Sequence, residues 1–286
     1  MEHQLWKQMV SALRPFCEKS FCPTARFTVL DIVQVWFWAV VHDRPVSWAV
    51  QPRHWPIHLR RLLPSSSTMS RRLRSPEVRS IMQRCEKQVL NQGGNSCLIW
   101  KIDSKPLVIS NASQDRQAGY GQAVGARAKG YKLHLILGAN RTIPDWRVAP
   151  MNKDERVLAE RMLSQTSLTG YLLADGNFDT TTLHRYCDGQ EALQMISPRR
   201  SNYVGTKPDR RKSPRGRLRS IELLEGPGVF GRSLLKQRLA IEQYYGRLSS
   251  CGGGLTHLPP WARGHRRVHR WVQAKLMLLA FRPLAA

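Results

Sequence analysis

Apolar positions recur at helical spacing through residues 1 to about 90. Val29, Leu30, Val33, Trp36, Phe37 and Val40 form one wide face of a helix. Ser65 to Thr68 offers an N-cap choice before a short segment, Met69 to Arg74, and a further helix from about Pro76 to Asn91 puts Val78, Ile81, Met82, Cys85 and Val89 on one side. Asn91-Gln92-Gly93-Gly94-Asn95 reads as a turn-rich linker, and beyond it the pattern changes. Cys97 to Asp103 predicts a strand, followed by a polar, Gly-rich stretch. Tyr131 to Gly138 predicts a second strand, Ala139-Asn140-Arg141 a turn, and Thr142 to Pro150 a third strand. Lys153 to Gln165 is an amphipathic helix with Val157, Leu158 and Met162 inward. A fourth strand, Tyr171 to Ala174, runs into Asp175. Asp179 can cap a helix from Thr180 to about Asp188, and Leu193 to Ser197 is a fifth strand stopped by Pro198.

Three strands able to meander, then helix, strand, helix, strand, predict an α/β fold. It is a mixed five-stranded sheet flanked by helices, behind an N-terminal helical domain. The domains fall at 1–92, 96–250 and 251–286. Residues 199–219 interrupt the second as a basic insert: Arg199, Arg200, Lys207, Arg210, Arg211, Lys212, Arg215, Arg217 and Arg219 face one acid, Asp209. Pro208 and Pro214 discourage regular structure there, so the insert reads as a flexible loop. A helix near 233–248 buries Leu234, Ile241, Tyr245 and Leu248, and Cys251-Gly252-Gly253-Gly254 ends it. A last helix, about Arg266 to Phe281, pairs an apolar face (Val268, Trp271, Val272, Leu276, Leu279) with a basic one (Arg267, Arg270, Lys275). It is expected to pack on the sheet-bearing domain.

Charge sharpens this picture. The 286 residues carry 45 Lys and Arg against 20 Asp and Glu, a formal net charge of +25. That excess predicts a polyanionic partner and salt-dependent binding. The basic residues are spread through folded segments and not gathered beside a hydrophobic anchor, which favours nucleic acid over a membrane surface. Phe27 to Val41, the greasiest stretch, is broken by Asp31 and Gln34 and falls short of the ~20 residues a spanning helix needs. Six cysteines, at 17, 22, 85, 97, 187 and 251, form no CxxC pair, which argues against zinc and for reduced thiols in a cytosol. Arg71, Arg72 and Arg74 make a short basic helix suited to a DNA groove or to a solvated surface. Arg210, Arg211 and Lys212 of the insert are candidate backbone contacts.

Three acids stand out in such a chain. Asp103 and Asp175 each close an apolar strand, and Glu242 lies on a helix with Arg238 one turn earlier. Two strand ends and a facing helix can gather carboxylates around hard divalent cations of the magnesium type, which suit phosphodiester chemistry. Asp103 would bridge two ions, Asp175 and Glu242 would complete one site each, and Arg238 would hold Glu242 or touch phosphate. The other acids have cheaper readings: Asp179 as an N-cap, Asp154 and Glu155 at a helix start, Asp145 in a turn, Asp115 in a polar loop. His265 and His269 lack a third ligand, His134 reads as structural, and no G-x-S-x-G elbow supports a serine nucleophile.

The stretches Ile102-Asp103-Ser104-Lys105-Pro106, Lys129-Gly130-Tyr131-Lys132-Leu133-His134 and Leu172 to Asp179 resemble bacterial insertion-sequence transposases of the DDE type. So do Arg238 to Leu248 and the tail from Gly253 through Leu276. The resemblance spans about residues 96–282. It implies a ribonuclease-H-like domain, two magnesium ions with manganese able to substitute, cutting of double-stranded DNA at transposon ends, and strand transfer into a target. It also implies a homodimer in a synaptic complex and a cytoplasmic, nucleoid-associated bacterial protein. By matching motifs the triad falls on Asp103, Asp175 and Glu242, and Lys105 and Lys132 become candidate DNA contacts. The chain departs from the family's third motif at Leu235 and Ser249, where Tyr and Lys are usual. Two alternatives stand beside this reading: a ribonuclease-H-like nuclease without strand transfer, and an inactive DNA-binding derivative.

Overall fold

The computed structural model describes residues 2–17, 25–60, 62–91, 97–123, 125–190, 192–200, 209, 211–250, 255 and 258–281. Cys22, the turn at 92–95, Lys207, Pro208, Arg210 and the glycines after Cys251 lie outside the described residues. The chain divides into two units, Met1–Leu90 with Arg247–Ala286, and Asn91–Gly246.

Unit 1 is helical. α1 (Glu2–Cys17), α2 (Val29–Val41), a short α3 (Val46–Ala49), α4 (Ser66–Arg72) and α5 (Pro76–Leu90) come first, and α11 (His265–Ala280) joins them. α2 starts at a capping box: Asp31 accepts from the Thr28 backbone N–H at 2.9 Å and Thr28 Oγ1 accepts from the Asp31 N–H at 3.2 Å. Asp31 therefore begins a helix instead of interrupting one. α2 is buried on nearly every side, not on one face, because α1, α5 and α11 all pack against it. The sequence assigns α11 to the sheet-bearing domain, whereas the structure groups it with α1, α2 and α5. Its residues Val272 to Leu279 are all buried, even Lys275, whose Nζ lies 3.8 Å from Asp43. No described helix is long and apolar enough to cross a membrane.

Unit 2 is a mixed sheet of six strands, one more than the sequence predicts: β1 (Ile99–Ile109), β2 (Gly119–Gln122), β3 (Arg127–Leu137), β4 (Trp146–Pro150), β5 (Gly170–Leu173) and β6 (Leu193–Ile196). The order is β2-β3-β1-β5-β6, with β4 also on β3. The first four strands pair antiparallel, and β5 and β6 run parallel to β1. β2 is the strand the sequence conceals, a Gly-Tyr-Gly-Gln edge with no apolar alternation. Gly170 opens β5 at φ +91°, and a Cβ there would meet the Leu98 carbonyl oxygen at 2.2 Å.

Period-2 alternation puts helices on both faces, the ribonuclease-H-like arrangement. Trp100, Ile102, Leu172 and Met195 face one core, shared with α6 (Glu155–Leu163) and α7 (Thr181–Asp188). Ile99, Leu173 and Ile196 face the other, where α8 (Arg215–Glu225) and α9 (Phe230–Lys236) supply Leu223 and Leu234. Each such side chain fully buried stabilises the fold by about 1.5–3 kcal/mol before entropy is counted. The helix expected near 233–248 is two, α9 and α10 (Leu239–Ser249), broken at Gln237-Arg238, though its predicted stripe is buried. The insert is also shorter than expected: Pro214 sits at the N-cap of α8, where a fixed φ starts a helix, so 215–219 are helical.

Candidate active site

Asp103 lies mid-strand, not at the end of β1. It sits opposite Leu135 of β3, while the parallel pairing with β5 stops at Lys101 and Leu173. Asp175 follows two residues beyond that pairing, close enough to Asp103 for its charge to act on it and for both to line one trough, and Asp103 is on the sheet face that carries Ile99. The exposed edge the sequence expects at a strand end is thus made by the neighbour stopping short.

Asp103 Oδ1 accepts from the Ser104 N–H at 2.8 Å, and its carbonyl oxygen accepts from the Tyr245 hydroxyl of α10 at 3.0 Å. Burial raises its carboxyl to about 6. The Ser104 N–H and Arg238 resist that rise, and the like charges of Asp175 and Glu155 add to it. Asp175 starts a short 3-10 turn, Gly176–Phe178, accepting from the Asn177 N–H at 2.9 Å. Glu242, in the first turn of α10, is bound by Arg238 at 2.6 Å, and the same guanidinium lies 3.7 Å from Asp103. Glu242 remains 48% exposed and Asp103 only 17%, so one cation spans a wet acid and a dry one.

Asp103 and Asp175 line an open trough of about 1020 Å³, whose walls include Lys132, Glu155, Arg199 and Arg200; Glu242 is not among its lining residues. Glu155 is the acid the sequence sets aside. Its position starts a helix, as expected, but its carboxylate accepts from the Ser104 hydroxyl at 2.8 Å and pairs with Lys132. Burial would raise it, yet those two partners outweigh burial and hold it below the usual range. Nothing in its local sequence signals a partner 51 positions away.

The cationic candidates separate. Lys105 shares the Asp103 face, its Nζ 5.8 Å from the Tyr245 ring, and burial lowers its pKa. Lys132 is on the other face, engaged by Glu155. Arg199 pairs with Glu225 at 2.6 Å and Arg200 donates to the Asn177 carbonyl at 3.2 Å. In unit 1, Arg71 is exposed, Arg72 lies 3.6 Å from Glu77, and Arg74 donates to the Ser70 carbonyl at 2.8 Å. Arg211 and Lys212 are exposed.

Asp179 is a correction. Thr180, not Asp179, caps α7, and Asp179 receives Arg217 through two hydrogen bonds at 2.7 and 2.8 Å with His184 at 3.4 Å. Burial opposes its ionisation, but those donors outweigh it and hold the carboxyl well below the usual range. His134 is buried, its Nε2 without a hydrogen-bond partner, and burial lowers it to about 4.

Asp103, Asp175 and Glu242 would offer only carboxylate oxygen, the donor that hard divalent cations prefer. Asp103 is a largely buried acid with a second carboxylate close by, an excess of negative charge that a cation would relieve. Among the described residues no group of three His, Cys, Asp or Glu side chains is placed to hold a metal ion, and Arg238 stands between Asp103 and Glu242.

A family model described as the transposase DDE domain matches residues 99–281. No curated protein matches the chain.

Proposed function

The chain belongs to the transposase DDE domain family, and on that premise we propose that it cuts a phosphodiester bond at a transposon end and joins the freed 3′ hydroxyl to target DNA. The observation that carries this reading is that Asp103 and Asp175 line one trough, with Arg238 linking Asp103 to Glu242. These three acids are the proposed holders of two magnesium-type ions, with manganese as a substitute. Such ions, when bound, supply a water-derived nucleophile and neutralise the phosphoryl and leaving oxygens.

The chain's own residues do the positioning. β1 holds Asp103 rigidly between β3 and the end of β5, and the Tyr245 hydroxyl ties α10 to the Asp103 carbonyl, fixing the helix that carries Glu242. Arg238 compensates both acids through its two terminal nitrogens, and ions taken up by those acids would release it towards a DNA phosphate. Lys105, on the same face, adds positive charge beside the reacting phosphate. Double-stranded DNA is the proposed partner, as transposon end and as target. A homodimer follows from the need to handle two ends together, in the nucleoid of a bacterial cytoplasm.

Asp103→Asn should abolish cleavage of a duplex carrying the DNA that borders the gene, with affinity for that duplex unchanged or raised. Cleavage at the parental rate would overturn the assignment. One observation favours an inactive DNA-binding derivative: the Arg238 guanidinium already lies between Asp103 and Glu242 and compensates both carboxylates. Calorimetric titration with manganese separates the two readings, since heat that disappears in Asp103→Asn belongs to the enzyme and an athermal parent to the derivative.

A further inference from the structure

Unit 1 contains a cavity of about 270 Å³ that the chemistry above does not use. Its floor is apolar, with Trp36 of α2 and Val78 and Met82 of α5. Its rim is cationic. Arg74 follows α4, Arg79 is on the first turns of α5, and Arg266 and Arg270, four apart on one face of α11, stand across from them. Among the described residues no Asp or Glu lines it. α4 and α11 contain no acid at all, and the two on α5 are engaged elsewhere, Glu77 with Arg72 at 3.6 Å and Glu86 with Gln273.

Four guanidiniums around one hollow repel each other. Burial, then the like charges of Arg267, Arg74 and Arg79, push the Arg270 guanidinium down to about 10. A helix pair selected only to pack would place these charges apart, because like charges on neighbouring turns destabilise. The arrangement becomes favourable when an anion enters, and the planar fork of arginine suits phosphate oxygens. The basic surface also continues beyond the hollow: Arg71 and Arg267 are both exposed, more cation than one small anion requires. Arg74, a candidate DNA contact from sequence alone, is part of this rim.

We infer that the cavity between α5 and α11 is a phosphate clamp for the backbone of double-stranded DNA. A free nucleotide offers the same phosphate chemistry; the continuous basic surface and the net charge of +25 favour the polymer. The contact positions the duplex without reading its sequence.

The test is equilibrium binding of the full chain to a labelled duplex in EDTA, followed by fluorescence anisotropy across a potassium chloride series. Cleavage plays no part, so failure of the catalytic reading and failure of this one are distinguishable. Arg79→Gln with Arg266→Gln should lower the salt slope by about 2, at ~0.9 per phosphate contact, and weaken binding roughly tenfold or more at physiological salt. The loss should be equal for unrelated duplex sequences. The matched pair Arg79→Lys with Arg266→Lys should keep the parental slope, and circular dichroism should show both pairs folded. A folded Gln pair with the parental slope overturns the clamp, as does a Lys pair that loses the slope equally. Deoxyadenosine monophosphate should compete only weakly. Saturable one-to-one binding of that nucleotide, lost in the Gln pair, would reassign the cavity to a free nucleotide and overturn the DNA assignment.

Discussion

Asp103 is the residue at which stability and the proposed chemistry pull in opposite directions. Its carboxyl, raised to about 6 by burial, is costly to ionise in the folded chain and cheap in the unfolded one. An acid raised in this way leaves folding at full strength below its unfolded pKa, and the benefit is lost as pH rises through the folded value. In EDTA, Asp103→Asn should therefore be more stable than the parent above about pH 6, by roughly 2–3 kcal/mol, and no more stable below about pH 4. Thermal unfolding across that range checks it, and a variant less stable at pH 7 would sink the argument. The residue was legible because it and Asp175 each follow an apolar run. Its true setting was not: the strand continues to Ile109, and exposure comes from where β5 ends. Glu155 was illegible altogether, since a glutamate at a helix start looks the same whether or not a lysine and a serine from two strands reach it.

At the scale of elements, α8 shows what pattern-reading misses and why. A run of arginines with two prolines reads as loop, yet Pro214 begins a helix and Arg217 is drawn into Asp179, which is 2% exposed beside His184. The ion pair ties α8 to the start of α7. Arg217→Met should cost roughly 3–5 kcal/mol, because it leaves a buried carboxylate short of its main donor. Asp179 is held low, so its contribution is present above the ordinary carboxylate range and fades as pH falls through its folded pKa. The deficit of the variant should accordingly shrink in strong acid, where denaturant titration can follow it. Elements with strong periodicity, such as α5, α7 and β6, were readable within a few residues of their bounds. β2 was not, since its pairing with β3 is made by backbone groups and leaves no side-chain signature. The break between α9 and α10 was equally hidden, because the apolar stripe from Leu234 to Leu248 runs across it unchanged.

For the whole molecule the governing quantity is the net charge of +25, which sequence states outright, while its distribution between internal partners and solvent is legible only in the fold. Residues 199–219 divide on this point. Arg199, Arg200 and Arg217 are engaged by Glu225, the Asn177 carbonyl and Asp179, so substituting them should lower stability with little effect on the salt dependence of DNA binding. Arg211, Lys212, Arg215 and Arg219 are exposed, and Lys212 has only a solvent-facing neighbour, Asp209, at 3.8 Å. Counterion release makes each phosphate contact worth about 0.9 in the slope of log affinity against log salt. Changing these four to Gln should flatten that slope by roughly three to four and leave the melting temperature within about five degrees, since exposed substitutions rarely exceed ~0.5 kcal/mol each. The two sets are interleaved along one segment, so a nonspecific effect of removing charge would strike both alike. Equal slopes in the parent and the exposed-set variant would mean that this segment does not meet the phosphate backbone, and that the charge carrying DNA affinity lies elsewhere in the chain.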